Sequence, residues 1–387
     1  MQRSIPAVLM RGGTSKGLFF HEHHLPQDPT IRNQVILAAY GSPDPNRRQV
    51  DGLGGAASTS SKVAIISPSA DPAYDVVYNF GQVSIDRPIV DFKGNCGNIS
   101  AAVGPFAVDE GLVKAVEPIT TVRIHQKNTN KLIIAEVPVK NGRFNEEGDY
   151  RIAGVPGSHS RIDLRFDSPG GALTGRLFPT GKRSDRIDLP GLGEVDITII
   201  DAANPVVLVR AESIGLQGTE TEAIDASEAI RKTLEGIRCK AAVLIGLAAS
   251  EQEATQRSQA VPKMAFVAAA QPYQTIGGHN ITAAQVDLVA RIMSMGFLHQ
   301  SYAVSGGIST VGAAMIPGTV VYDLLRQEAR EKKLLSLGHP AGIIDVGAVI
   351  TEQDGNFDYR EAVVGRTARR LMAGHVLVEE RHFHPAR

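Results

Sequence analysis

The sequence predicts an α+β protein made of two related halves, and three observations carry that reading. Short strand-like runs fill the first half of the chain while helical patterns are few, a balance that disfavours a doubly wound parallel sheet. Gly, Pro, Asn and Asp clusters separate many of the runs, as chain reversals require. The chain also echoes itself in order: Ser61-Lys62-Val63-Ala64-Ile65 against Pro262-Lys263-Met264-Ala265-Phe266, Cys96-Gly97-Asn98-Ile99-Ser100 against Ser305-Gly306-Gly307-Ile308-Ser309, and 151–166 loosely against 360–376. Echoes kept in sequence point to an internal duplication.

The clearest strands are expected at 7–10, 63–66, 75–78, 122–124 and 132–135, and a further strand-like run at 85–91 leads into Cys96. Helical patterns cover 31–40, 223–234 and 283–295, the last opening after Thr282 as a cap. A helix of small residues is expected to follow Cys96 from Ser100. The join between halves is placed near Leu189-Pro190-Gly191-Leu192-Gly193, giving domains 1–188 and 189–387.

Composition narrows the function. The 387 residues are 43% hydrophobic and 21% charged, near globular averages. The formal net charge is -1 and aromatics are 5%, with no Trp, which argues against a nucleic-acid partner. Two cysteines, Cys96 and Cys239, make no disulfide framework and no zinc motif. The N-terminus lacks a signal-peptide pattern and no long apolar run spans a membrane. The expectation is a cytoplasmic protein with a small-molecule ligand, no metal and no membrane contact.

Three segments carry candidate chemistry. In Met10-Arg11-Gly12-Gly13-Thr14-Ser15-Lys16-Gly17, paired glycines let backbone approach a ligand, Arg11 can grip a carboxylate and Lys16 adds a point charge. A tight turn with solvated basic residues reads equally well. The Gly- and Ser-rich run 51–61 can present amide and hydroxyl donors to an anion. Lys62 follows it and opens an apolar run, where loss of solvent favours the neutral amine a base needs. An ordinary lysine closing a surface loop is the competing reading. Cys96, between glycines and asparagines at a strand-to-helix turn, sits where free helix amides and the dipole stabilise negative charge, on a bound carboxylate or on the thiol. A lone cysteine also serves as a small buried hydrophobe, the role expected of Cys239. His21-Glu22-His23-His24 fits no metal spacing and reads as a solvated loop, and His299 reads as a core or supporting histidine.

Taken together, 10–17, Gly41-Ser42-Pro43-Asp44-Pro45, Asp51-Gly52-Leu53-Gly54-Gly55, Ser61-Lys62, Asn95-Cys96-Gly97-Asn98, Ser294-Met295-Gly296 with His299, and Ile316-Pro317-Gly318-Thr319 resemble the PrpF-type family. That family includes 2-methylaconitate cis-trans isomerases, 4-oxalomesaconate tautomerases and methylitaconate isomerases. The resemblance implies the diaminopimelate-epimerase-like fold, two pseudo-symmetric domains each with strands wrapped around a central helix, and allows the C-terminal tail to return to the first domain. It implies a cofactor-free site in an interdomain cleft, with Lys62 and Cys96 as the catalytic pair. Arg11, Thr14, Ser15, Lys16, Gly97, Asn98, Ser305, Gly306 and Gly307 are then expected around an unsaturated di- or tricarboxylate. Epimerases of this fold use two facing thiols, and Ser305 stands where the second is expected, which counts against a proline-racemase-like activity. 2-Methylaconitate isomerisation is the leading expectation, with the tautomerase and methylitaconate reactions beside it and a homodimer possible. A non-catalytic carboxylate-binding accessory of a dehydratase is the reading from another class.

Overall fold

The structure, a computed structural model, describes residues 1–384. It divides into two compact units: Met1–Arg151, Val155–Leu164 and the chain from Arg366 form the first, and Ile152–Gly154 with Arg165–Gly365 the second. The first unit runs through β1 (Gln2–Gly12), β2 (Ser15–His21), α1 (Pro29–Tyr40), β3 (Lys62–Pro68), β4 (Val76–Val83), β5 (Val90–Asp91), α2 (Gly97–Asp109), β6 (Ile119–Gln126), β7 (Lys131–Lys140) and β8 (Arg143–Phe144). The chain changes unit along β9 (Ile162–Asp167).

The second unit continues with β10 (Asp185–Leu189), β11 (Gly193–Ala202), β12 (Asn204–Arg210), α3 (Glu222–Ala226), α4 (Glu228–Leu244), α5 (Glu251–Arg257), β13 (Lys263–Ala269), β14 (Tyr273–Gln274), β15 (Asn280–Ile281), β16 (Leu288–Ser294), β17 (Phe297–Leu298), α6 (Val304–Ala314), α7 (Gln327–Arg330), β18 (Leu334–His339), β19 (Gly342–Gln353) and β20 (Asn356–Arg366). The chain then re-enters the first unit as β21 (Ala368–Glu379), which pairs antiparallel with β1 from Gln2↔Glu379 to Gly12↔Ala368.

One topology is used twice. In the first unit β1 and β2 are antiparallel, β2 and β3 parallel, β3 and β4 antiparallel, β4 and β6 parallel, and β6 and β7 antiparallel. In the second, β11, β12, β13, β16, β18 and β19 follow the same alternation. Lys62 and Lys263 each open a seven-residue strand at equivalent places. A short strand, β5 or β17, precedes the buried helix in each unit.

Local signals explain the first unit's helices. Asp28 caps α1 by accepting from the Thr30 and Ile31 amides, Pro29 takes the first turn, and Gly41 ends the helix at φ 65. Helix α2 is buried from Gly97 to Val108 and built mainly of small and apolar residues, the composition of a helix enclosed on all sides. Burial of Phe106 alone contributes about 1.5–3 kcal/mol. The sheet presents Leu18, Phe20, Val63 and Ile65 to the core around α1. The opposite face carries Phe19, whose ring lies 5.7 Å from that of Phe106 on α2.

Several expectations change. The segment 283–295 is not a helix: Thr282 forms its capping box on a single turn, Ala283–Gln285, and the chain then becomes β16. Every residue of β16 is buried, so the period-two alternation that marks a half-exposed strand is missing. The pattern at 223–234 is broken at Ser227, which ends α3 and caps α4. Of the run 85–91 only Val90–Asp91 is strand. Leu189–Gly193, the expected join, is the turn between β10 and β11 inside the second unit.

Candidate active site

Lys62 begins β3 with 6% of its surface exposed. Its backbone is fixed from two sides. The Tyr40 hydroxyl donates to the Lys62 carbonyl and accepts from the Leu18 amide. Gly17 lies opposite Lys62 in the parallel pair, and a Cβ there would sit 2.0 Å from the Lys62 oxygen. The side chain ends at Gln82: Nζ donates to Gln82 Oε1 at 2.7 Å and lies 5.2 Å from the centre of the Phe80 ring. Among the described residues no carboxylate pairs with it.

The turn between β1 and β2 links this lysine to the start of α2. A Cβ on Gly12 would meet the Asn98 carbonyl at 2.4 Å, and one on Gly13 would meet Asn98 Oδ1 at 2.2 Å. The Thr14 amide donates to Asn98 Oδ1 at 3.4 Å and the Lys16 amide to the Thr59 carbonyl at 2.8 Å. Only glycine lets the hairpin lie this close to the helix end. Cys96 is the N-cap of α2, part-exposed between buried neighbours. The Ser100 amide makes the first helical bond back to the Cys96 carbonyl, so the Gly97, Asn98 and Ile99 amides precede the helix ladder. Tyr78 lies near the thiol: burial first, then negative charge at Cys96, raises its phenol well above the ordinary value.

The expected carboxylate anchors separate by face. Ser15 and Gly17 alternate with Lys16 and Leu18 along β2, and register puts Ser15 opposite Gly12 and Gly17 opposite Lys62. Ser15 therefore shares the α2 face with Lys62 and Gln82, whereas Arg11 and Lys16, a cross-strand pair, belong to the α1 face. Ser15 is 3% exposed, and among the described residues its hydroxyl has no hydrogen-bond partner. Arg11 braces the turn instead, donating from Nη1 to the Gly13 carbonyl and to both oxygens of Thr367. Burial, with Arg369 nearby, pulls the Arg11 guanidinium down to about 10 against the opposing pull of Glu146. Much of the Gly- and Ser-rich loop is also spent internally: Ser61 Oγ donates to Gln49 Oε1, while the Ser58 and Ser61 carbonyls accept from Gln82 Nε2.

In the second unit the thiol's counterpart shifts. The cap of α6 is Ala303, and the Gly307 amide makes the first helical bond to its carbonyl. Cap on cap, Cys96 corresponds to Ala303, and Ser305 to Asn98. The Gly-Ile-Ser likeness had slid the alignment by two places. Ser305 Oγ accepts from Asn204 Nδ2 at 2.9 Å. The Gly307 amide, engaged in the helix, is no donor for a ligand, while Gly306 precedes the ladder. His299 is buried, its Nδ1 accepting from the Ser301 amide.

Gln82 went unnoticed at the sequence level. The available signal was a polar residue at a buried position in a strand next to the one opened by Lys62, and the register Lys62↔Gln82 makes them neighbours.

The rings of His21, His23 and His24 cluster in tilted and edge-on contacts with centres 4.1 to 5.4 Å apart, and His21 Nε2 lies 3.1 Å from Glu110 Oε2. Among the described residues no group of three or more His, Cys, Asp or Glu could hold a metal ion. Burial, then His23 and His21, lowers the His24 pKa. The unfolded chain binds that proton near the ordinary value of about 6.5 and the folded chain resists it. Stability thus holds above that pH and falls below it. His24→Gln is expected to shrink the fall in urea midpoint between about pH 7.5 and about pH 5.5; an undiminished fall would count against this assignment.

Comparison with known proteins fixes the class before the family. A crystal structure of a hydroxyproline epimerase from Agrobacterium vitis superposes with TM-score 0.56 at 14% identity, covering 99% of this chain and 93% of that one. The fold is therefore the diaminopimelate-epimerase-like one. The crystal structure of methylitaconate-delta-isomerase superposes with TM-score 0.79 at 45% identity, covering 100% and 98% of the two chains. The chain is 46% identical over 381 residues to 3-methylitaconate isomerase of Eubacterium barkeri, with 98% of each covered. It is 42% identical to 2-methyl-aconitate isomerase of Cupriavidus necator, with 97% of this chain and 98% of that one covered. The family described as PrpF protein matches residues 2–379, and the chain belongs to it. It is an isomerase. Among the described residues no helix is long and apolar enough to cross a membrane.

Proposed function

We propose that this protein moves an allylic proton on an unsaturated tricarboxylate, with 2-methylaconitate cis-trans isomerisation as the leading reaction. The observation that supports it most is the buried Lys62 amine, without a carboxylate partner, on the sheet face that the glycine turn ties to the Cys96 end of α2.

In this reading Lys62 takes the proton γ to a carboxylate. The C–H electron pair spreads into a dienolate, and the former double bond gains single-bond character and rotates. Amides at Gly97 and Asn98 hold the developing charge, aided by the helix dipole. Return of a proton from Cys96 or Lys62 gives the geometric isomer or the shifted alkene. The unpartnered Ser15 hydroxyl supports a carboxylate seat on the same face, since a buried donor left unpaired costs about 1–3 kcal/mol. Arg11 and Lys16 supply positive field from the other face. Methylitaconate and 4-oxalomesaconate suit the same chemistry. The first unit carries a thiol at its helix cap and the second carries alanine, which disfavours a two-thiol racemase.

Purified protein incubated with 2-methylaconitate, methylitaconate and 4-oxalomesaconate in deuterated water tests this reading. NMR should show isomerisation of at least one, with deuterium entering the allylic position. Absence of both isomerisation and label from all three would sink it.

A further inference from the structure

We infer that Gln82 is the positioning residue that aims the Lys62 amine, an inference that rests on Lys62 being the base. Gln82 Oε1 accepts from Lys62 Nζ at 2.7 Å, and Gln82 Nε2 donates to the Ser58 carbonyl at 3.1 Å and the Ser61 carbonyl at 3.0 Å. Those two carbonyls fix the amide's orientation. Turned over, Oε1 would face two carbonyl oxygens and the NH2 group would face the lysine. Gln82 is 4% exposed, so solvent does not offer a ready substitute partner.

The chemistry distinguishes an amide from an acid at this position. A neutral amine has two N–H bonds and one lone pair. It can donate one hydrogen to Oε1 and still direct its lone pair at a substrate C–H. A carboxamide oxygen favours the ammonium less strongly than a carboxylate does. Glutamate has nearly the same shape, but it would pair with the ammonium in a buried setting and hold the proton the base must shed. It would also place an anionic oxygen against the Ser58 and Ser61 carbonyls. The backbone supports from Tyr40 and Gly17 set where Lys62 starts, and Gln82 sets where its tip ends.

The test compares wild type, Gln82→Glu, Gln82→Met and Lys62→Ala, using 2-methylaconitate or whichever of the three carboxylates shows exchange. Turnover and KM are followed from about pH 5.5 to about pH 10, with thermal melting alongside. Gln82→Glu should move the acidic limb of the kcat profile upward by about 1–3 pH units, with at least a tenfold loss near neutrality. Gln82→Met, which keeps length but removes the acceptor, should lower kcat more than it changes KM and leave melting near wild type. An unmoved limb in Gln82→Glu, or wild-type kcat in folded Gln82→Met, overturns the inference, and the methionine variant decides alone if the glutamate variant does not fold. Loss of turnover in Lys62→Ala with unaffected Gln82 variants would discard this role and keep the base. Activity retained in Lys62→Ala would discard the base itself.

Discussion

Lys62→Ala is expected to lower turnover by about two to four orders of magnitude, and Cys96→Ala by a comparable factor, the scale of general acid–base catalysis. Neither change should unfold the protein. Lys62 packs its stem in the sheet, and among the described residues its tip hydrogen-bonds only to Gln82. Cys96 is part-exposed and caps α2 without a side-chain hydrogen bond. If the two groups act in sequence on one bound molecule, the double variant will lose little more than the worse single one, since groups that act as a unit are non-additive. The separation between deprotonation and reprotonation is accessible too: Cys96→Ala should retain more exchange of substrate hydrogen for solvent deuterium than net isomerisation. Near-wild-type turnover in either single variant would reject the assigned pair.

Gly17→Ala is expected to damage stability and catalysis together. The added carbon would lie 2.0 Å from the Lys62 carbonyl oxygen and 2.8 Å from its carbon. Both are backbone atoms, so no rotamer change relieves the contact. Strands β2 and β3 must separate or Lys62 must move. Overpacking of this kind costs about 1–3 kcal/mol, occasionally more, and a displacement of about 1 Å in a catalytic group can cost about a hundredfold in rate. Gly236→Ala is the control. Gly236 lies inside α4, and nothing stands within 4 Å of an added Cβ, so alanine there should stabilise by about 0.5–1 kcal/mol. The two urea midpoints should move in opposite directions, while kcat should fall in Gly17→Ala and stay near wild type in Gly236→Ala. A Gly17→Ala protein with wild-type midpoint and rate would show that the close approach is not needed.

The sequence made the turns at Gly12-Gly13 and Cys96-Gly97 readable because close packing and a helix start leave recognisable residues. It made β1, β3, β6 and β7 readable through their apolar runs. It did not reveal β16, since burial on both faces removes alternation and leaves a run that also fits a helix. Alignment of Ser305 with Cys96 rested on residue likeness, while helix capping depends on backbone hydrogen bonds that residue types do not specify. The split of Arg11 and Lys16 from Ser15 follows from pleat and register, which emerge only once β1, β2 and β3 are paired. Gln82 illustrates the remaining gap: a glutamine in a strand reads as solvent-facing until its neighbour across the sheet is known.

The pairing of β1 with β21 joins Gln2 to Glu379, and the Gly13 amide closes on the Thr367 carbonyl. During synthesis Lys62 emerges ahead of residues 368–379, so its sheet lacks β21 until that later segment has followed. The second unit, continuous from Arg165 to Gly365, can complete its own sheet sooner. The first unit thus completes its sheet only after the second has been translated, and a nascent chain halted before residue 366 would carry Lys62 and Cys96 without the strand that steadies the hairpin between them.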